Sequence, residues 1–212
     1  MYADYDGRMP HWLSILCGVL TDVFNFLSLN SNYEELRPIP SYSNIALSNY
    51  EYNKARDKFC IIDDQHKIDM KFGRSTIASS GCGLVAIYNM WFLSFNKFIP
   101  LSDIILDFEL AICPSYFDYG VNLWDIEKYL LTKGIKYDYT DSLDVLDSWR
   151  SAGDSYIVCY GDFGGLNGHA LSALCCGNYF LGYNGRNHNV AFLSLFIPND
   201  KQLAGAFHIR RR

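Results

Sequence analysis

The stretch STIASSGCGLVAIYNMWFL, residues 75–93, divides in two. Its first half is small and polar around a single thiol. Its second half is almost wholly apolar and too long for a buried strand. The pattern predicts a loop that becomes a buried helix at Cys82, with Gly81 and Gly83 on either side. A thiol at a helix N-terminus is stabilised as its anion by unpaired N–H groups and the helix dipole. The same N–H groups suit an acyl oxyanion, and flanking glycines leave that space open. Cys82 is therefore the candidate nucleophile. The competing reading is a buried, inert cysteine, the commoner state of a free thiol.

Upstream of this stretch, FCIID and KIDMKF, between Lys58 and Phe72, are strand candidates. Residues 30–53, NSNYEELRPIPSYSNIALSNYEYN, are polar with two prolines and read as linker or irregular wrapping. Before them, WLSILCGVLTDVFNFLSL, residues 12–29, predicts a helix over about 11–29. Asp22, Asn25 and several hydroxyls make that segment borderline for a membrane span, which needs about 20 predominantly apolar residues. A buried or surface-packed helix is the expectation, with membrane contact as the alternative.

Downstream, PLSDIILDFELAI predicts a helix opened by Ser102, and NLWDIEKYLLTKG a second one stopped at Gly134. Beyond Gly134 the period changes. IKYDYT, SYIVCY, HALSALCC, NYFLGYN and VAFLSLF are short aromatic or apolar runs separated by Gly, Asn and Asp, and they predict antiparallel strands. Helices followed by strands predict an α+β fold, with Cys82 at the start of a helix in its N-terminal helical part. The expected divisions are a junction at 1–10, a helix plus irregular linker at 11–53, and one enzyme-like domain at 54–212.

A thiol nucleophile needs a base. Of five histidines (His11, His66, His169, His188 and His208), His169 sits in GGLNGHALSALCC, where a glycine-rich turn opens into an apolar strand. Its ring is expected at a strand's mouth, 87 residues after the thiol. A core histidine satisfied by backbone is the bland alternative. A third group must fix the base's tautomer. Asn184, closing the following strand, suits that task, with Asn187 in reserve and a plain turn asparagine as the alternative for both.

The bulk composition bounds what this chemistry serves. The 212 residues are 50% hydrophobic and 16% aromatic, enough for a real core. A net charge of -5 gives no general attraction to nucleic acid, although HIRRR near the end is locally basic. Seven cysteines without a CxxC pair signal neither a disulfide framework nor a zinc site, so reduced thiols and a reducing site of action are expected. MYADYDGRMP is acidic where a secretory leader is basic. No cofactor and no metal are expected.

These residues carry two resemblances. STIASSGCG before an apolar helix, GHALSAL opening a strand and GYN closing the next resemble the papain-like cysteine peptidases related to the bacteriocin leader-processing (double-glycine) peptidases, over about residues 55–200. The resemblance implies a papain-like fold with Cys82 as nucleophile, His169 as base and Asn184 as orienter. Leu84 stands where that group often has proline. The group's oxyanion-hole glutamine, about six residues before the nucleophile, falls on Thr76, so Thr76 is a candidate donor beside Ser79 and Gln65. The second resemblance is at the start of the chain. ADYDG, Ala3 to Gly7, resembles the closing segment of the core of RHS-repeat proteins, after which a variable toxin domain follows.

Together they imply the C-terminal toxin domain of an RHS-type polymorphic toxin, carried in the parent chain's RHS cage and delivered by the producing bacterium. It would cleave, deamidate or transamidate a protein in the target-cell cytoplasm and be neutralised by a cognate immunity protein. Two alternatives stand beside this expectation: a non-catalytic binding module on a peptidase scaffold, and a membrane-active toxin using the helix at 12–29.

Overall fold

The computed structural model of the protein describes residues 42–57, 60–73, 75–112, 120–162, 168–185 and 189–210. The junction at 1–10, the helix at 11–29 and the reserve residue Asn187 lie outside them.

The oily half of the opening stretch forms the central helix. Helix α1 (Tyr42–Lys54) comes first, then a short hairpin of β1 (Lys71–Phe72) and β2 (Ser75–Thr76), a single turn α2 (Ile77–Ser80), and α3 (Cys82–Phe95). Most of α3 is buried, as expected for a helix apolar on every side. It ends at Asn96, which takes the left-handed conformation (φ 48°) that commonly terminates helices. Helix α4 (Leu101–Asp107) runs into a π-helical turn, Phe108–Ile112. Helix α5 (Leu123–Thr132) follows, opened by a capping box in which Asn122 and Asp125 satisfy each other's main-chain N–H groups.

The second half is a sheet. Strands β3 (Tyr137–Thr140), β4 (Ser155–Gly161), β5 (His169–Cys176), β6 (Tyr179–Tyr183), β7 (Asn189–Val190) and β8 (Gln202–Ile209) form six antiparallel neighbours in the order β3-β8-β4-β5-β6-β7. A short helix α6 (Leu143–Ser148) lies between β3 and β4 in the chain. Both faces of β4 are covered, so every one of its residues is buried. Ile157 and Cys159 face α3, α4 and α5 together with Ala170 and Phe207. Tyr156, Val158 and Tyr160 face the other way, into a second core with Leu146 of α6 and Leu193 and Phe196 of a 3-10 turn. The N-terminal helices thus sit on one face of the sheet, and α3 crosses behind β4 and β5.

Several local expectations shift. Residues 42–54 are helical rather than irregular, because tertiary contacts override a weak local signal: fully buried Asn53 exchanges hydrogen bonds with the main chain of Lys71, 2.6 and 3.0 Å. The described part of FCIID, residues 60–63, forms no strand, and only Lys71 and Phe72 of KIDMKF pair. Helix α4 starts at Leu101 with Pro100 at its cap position, and Ser102, inside the helix, is buried and bonds Asp57 through its N–H and its hydroxyl. Of VAFLSLF, Val190 ends β7 and Leu193–Phe196 form the 3-10 turn, whereas QLAGAFHI forms β8 between β3 and β4.

The glycines beside Cys82 serve packing instead of leaving space. A Cβ on Gly81 would stand 2.6 Å from Ile77 Cα, and one on Gly83 would stand 2.8 Å from Val121 Cβ. Each contact is far inside van der Waals range, so α2 and the loop before α5 close tightly on the first turn of α3.

Candidate active site

Cys82 is the first residue of α3, directly after the cap residue Gly81. The residue is partly exposed, yet its thiol packs against the core that Cys159 and Ala170 line. Burial pushes the thiol pKa up; main-chain N–H groups of Ala170, Gly83 and Cys82 pull it back by stabilising the anion. Burial prevails. The resting sulfur therefore keeps its proton, where the sequence reading expects the helix end to favour the thiolate.

The N–H group from Ala170 places the thiol beside the second residue of β5, whose first residue is His169. The ring of His169 leans on Tyr160, its cross-strand partner, with centroids 5.5 Å apart. Its Nε2 bonds the main-chain carbonyl of Asn184. A carbonyl oxygen only accepts, so Nε2 carries the proton and Nδ1 is left as the basic nitrogen. Burial holds the ring below the ordinary imidazole pKa, the Asn184 carbonyl acts in the opposite direction, and His66 adds to the lowering. His169 is thus neutral at rest.

Asn184 meets the His169 ring through its main chain and not through its side-chain amide. It takes a left-handed conformation (φ 66°), and its N–H donates to Asp63 O at 3.1 Å. Its side chain is buried and turned away from the imidazole. Oδ1 accepts from the N–H of Gln65 at 3.0 Å, while Nδ2 donates to Gln65 Oε1 at 2.9 Å and to Ala170 O at 3.4 Å. The structure thus joins His169 to Asn184 directly and Cys82 to the residue next to His169. No hydrogen bond links Cys82 Sγ to the imidazole among the described residues. His169 also has the strand parity of Leu171, which belongs to the core on the far side of the sheet from α3.

The three candidate oxyanion donors are engaged elsewhere. Thr76 occupies the cap position of α2 and its hydroxyl meets Ser79 Oγ at 3.3 Å. Ser79 bonds Ser75 Oγ at 2.5 Å and Thr76 O at 3.2 Å. Gln65 donates to Ala78 O at 3.4 Å. Donors that do face the sulfur are the N–H groups of Cys82 and Gly83 at the helix start. What sequence reading passes over is Gln65 as Asn184's partner: the two are 119 residues apart, and no local pattern marks the pairing.

Among the described residues, no group of three or more His, Cys, Asp or Glu could hold a metal ion, and no helix is long and apolar enough to cross a membrane. Fold and site together define an α+β protein in which a neutral imidazole bonds the carbonyl of one member of a buried amide pair, and a helix-start thiol faces the residue that follows that imidazole in the strand. No model of a protein family and no curated protein matches the chain.

Proposed function

We propose that the protein is a papain-like thiol acyltransferase acting on a protein amide, with Cys82 as nucleophile, His169 as base and Asn184 as orienter. The observation that carries this reading is the bond from His169 Nε2 to the Asn184 carbonyl, which leaves Nδ1 unprotonated one residue from the amide that faces the Cys82 thiol. In the proposed step, Nδ1 takes the thiol proton as sulfur attacks the amide carbon. Because thiol and ring are both neutral at rest, proton transfer accompanies attack instead of preceding it. Attack requires sulfur and imidazole to be brought together with the Nε2–Asn184 bond kept, a closure of the kind substrate binding induces.

The resulting oxyanion falls to the Cys82 N–H at the helix start, with Thr76, at the head of α2, as the candidate second donor. Imidazolium then protonates the leaving amine and the C–N bond breaks, leaving a thioester on Cys82. Water, losing a proton to His169, hydrolyses that thioester and restores the thiol. A peptide bond gives chain cleavage, a glutamine side chain gives deamidation, and an amine in place of water gives transamidation.

The RHS-like start of the chain supports a toxin domain delivered in the parent chain's cage by the producing bacterium, acting in the target-cell cytoplasm and restrained by an immunity protein. Incubating the protein with target-cell proteins is expected to yield new chain termini or a glutamine-to-glutamate mass change, read by mass spectrometry and absent with Cys82→Ala. Identical spectra with and without the enzyme would overturn the reading. A thiol and an imidazole that are both neutral, with no hydrogen bond between them among the described residues, favour one other reading, a binding module that keeps the scaffold without the chemistry.

A further inference from the structure

We infer that Gln65 is a positioning residue of this site: paired with Asn184, it fixes the carbonyl that holds the proton of His169 on Nε2. The inference rests on the proposed roles of Cys82 and His169, but the pairing itself stands on distances alone.

Gln65 is 4% exposed and Asn184 is 4% exposed, so neither has water as an alternative partner. They bond reciprocally, Gln65 N–H to Asn184 Oδ1 at 3.0 Å and Asn184 Nδ2 to Gln65 Oε1 at 2.9 Å. With Asp63 O accepting from Asn184 N at 3.1 Å, the segment 63–65 supplies three of the four hydrogen bonds that hold Asn184, apart from its bond to the ring. That segment is itself pinned to α3. Asn89, fully buried, donates to Ile62 O at 2.7 Å and accepts from Ile62 N–H at 2.9 Å. A continuous chain of contacts therefore runs from the nucleophile's own helix through Asn89, the 62–65 segment and Asn184 to His169.

The consequence is chemical. A left-handed non-glycine residue costs about 1 kcal/mol or more and persists only where its surroundings enforce it. Without the Gln65 side-chain amide, Asn184 Nδ2 loses the shorter of its two hydrogen bonds and main-chain groups alone hold the residue, so its carbonyl is fixed less firmly against the ring and the proton can move to Nδ1. An imidazole protonated on Nδ1 presents a donor to the thiol and does not accept its proton. Gln65 thus selects the basic tautomer without touching the ring.

The test uses the full chain and reads the ring by nitrogen-15 NMR, independently of catalysis. In wild type, the neutral His169 ring is expected to be almost wholly protonated on Nε2. Gln65→Met keeps the volume but removes the side-chain acceptor, and is expected to raise the Nδ1-protonated fraction severalfold. Gln65→Glu keeps the acceptor and places a negative charge beside Asn184; it is expected to preserve the Nε2 tautomer while the His169 pKa rises by about one pH unit. The charged or titratable groups that face the ring, His66 and Tyr160, are unchanged in both variants.

A wild-type tautomer ratio in folded Gln65→Met, or a His169 pKa in Gln65→Glu equal to wild type, would overturn the inference. Should Gln65→Met fail to fold, the Gln65→Glu titration decides alone. If the ring responds as expected but Cys82→Ala leaves every biological effect intact, the positioning role stands and the acyl-transfer reading falls.

Discussion

Expression of the wild-type chain in a host cytoplasm is expected to arrest growth, and Cys82→Ala is expected to remove that arrest. In the proposed reaction sulfur forms the bond to the substrate carbon, so no neighbouring group replaces it. Removing the nucleophile of a covalent catalytic set costs about 10⁴-fold or more in turnover, a loss large enough to abolish a toxic effect that depends on turnover. Folding is not the confounder here. Cys82 lies at the edge of the core and at the first position of α3, where alanine removes one sulfur without disturbing the buried residues behind it. Matching near-ultraviolet circular dichroism of the two proteins checks this. A binding module predicts the opposite outcome, arrest retained in Cys82→Ala. A membrane-active segment at 12–29 predicts that arrest disappears only when residues 1–40 are deleted.

The second large effect concerns stability. Glu109, in the π-helical turn after α4, is 5% exposed. Its Oε1 accepts from Asn49 Nδ2 and from the N–H of Gly73, each at 2.7 Å, while Oε2 is buried without a hydrogen-bond partner among the described residues. Burial raises its pKa to about 7, and the two hydrogen bonds only partly offset this. The unfolded chain releases the same proton near the ordinary glutamate value of about 4.3. Between those two pH values the native state binds more protons than the unfolded state, so stability falls as pH rises. The favourable contribution is complete below the unfolded pKa and is gone above about pH 7. A shift of this size corresponds to about 3 kcal/mol between about pH 4 and about pH 8.

Glu109→Gln keeps the Oε1 acceptor and cannot ionise. Its unfolding free energy, measured by urea titration against the parent, is expected to gain about 3 kcal/mol relative to wild type over that pH range. Because other titrating groups are common to both proteins, the difference isolates Glu109. A difference independent of pH would show that the carboxylate ionises normally in the fold.

Much of the frame was legible because it depends on local pattern. The apolar run after Gly83 announces α3, Gly134 takes the positive φ (63°) expected of a helix stop, and the aromatic runs from 135 to 183 mark β3 to β6. Strand β8 was missed because Ala204, Gly205 and Ala206 make a weak strand signal. Their smallness is set from outside: a Cβ on Gly205 would stand 2.6 Å from Tyr139 Oη and 2.8 Å from Leu123 Cδ2. Helix α1 was missed for a similar reason, since Asn53 is fixed by main-chain groups of a distant hairpin. At the site, sequence pattern identifies Cys82, His169 and Asn184 as candidates but not how they connect. Whether Asn184 offers the ring its side chain or its carbonyl depends on Gln65, and whether the thiol is charged depends on how deeply the sheet and α3 bury it.

The coupling of Cys82 to His169 is the claim on which the functional reading depends, and the pH profile of Cys82 acylation tests it most directly. A nitrophenyl ester acylates the thiol with release of coloured nitrophenolate, and intact mass confirms a single adduct at Cys82. In wild type the rate should climb with deprotonation of His169, below the ordinary imidazole pKa, and level off near neutrality. In His169→Ala it should rise only as the thiol ionises, above the ordinary thiol pKa. Superimposable profiles for the two proteins would contradict the account.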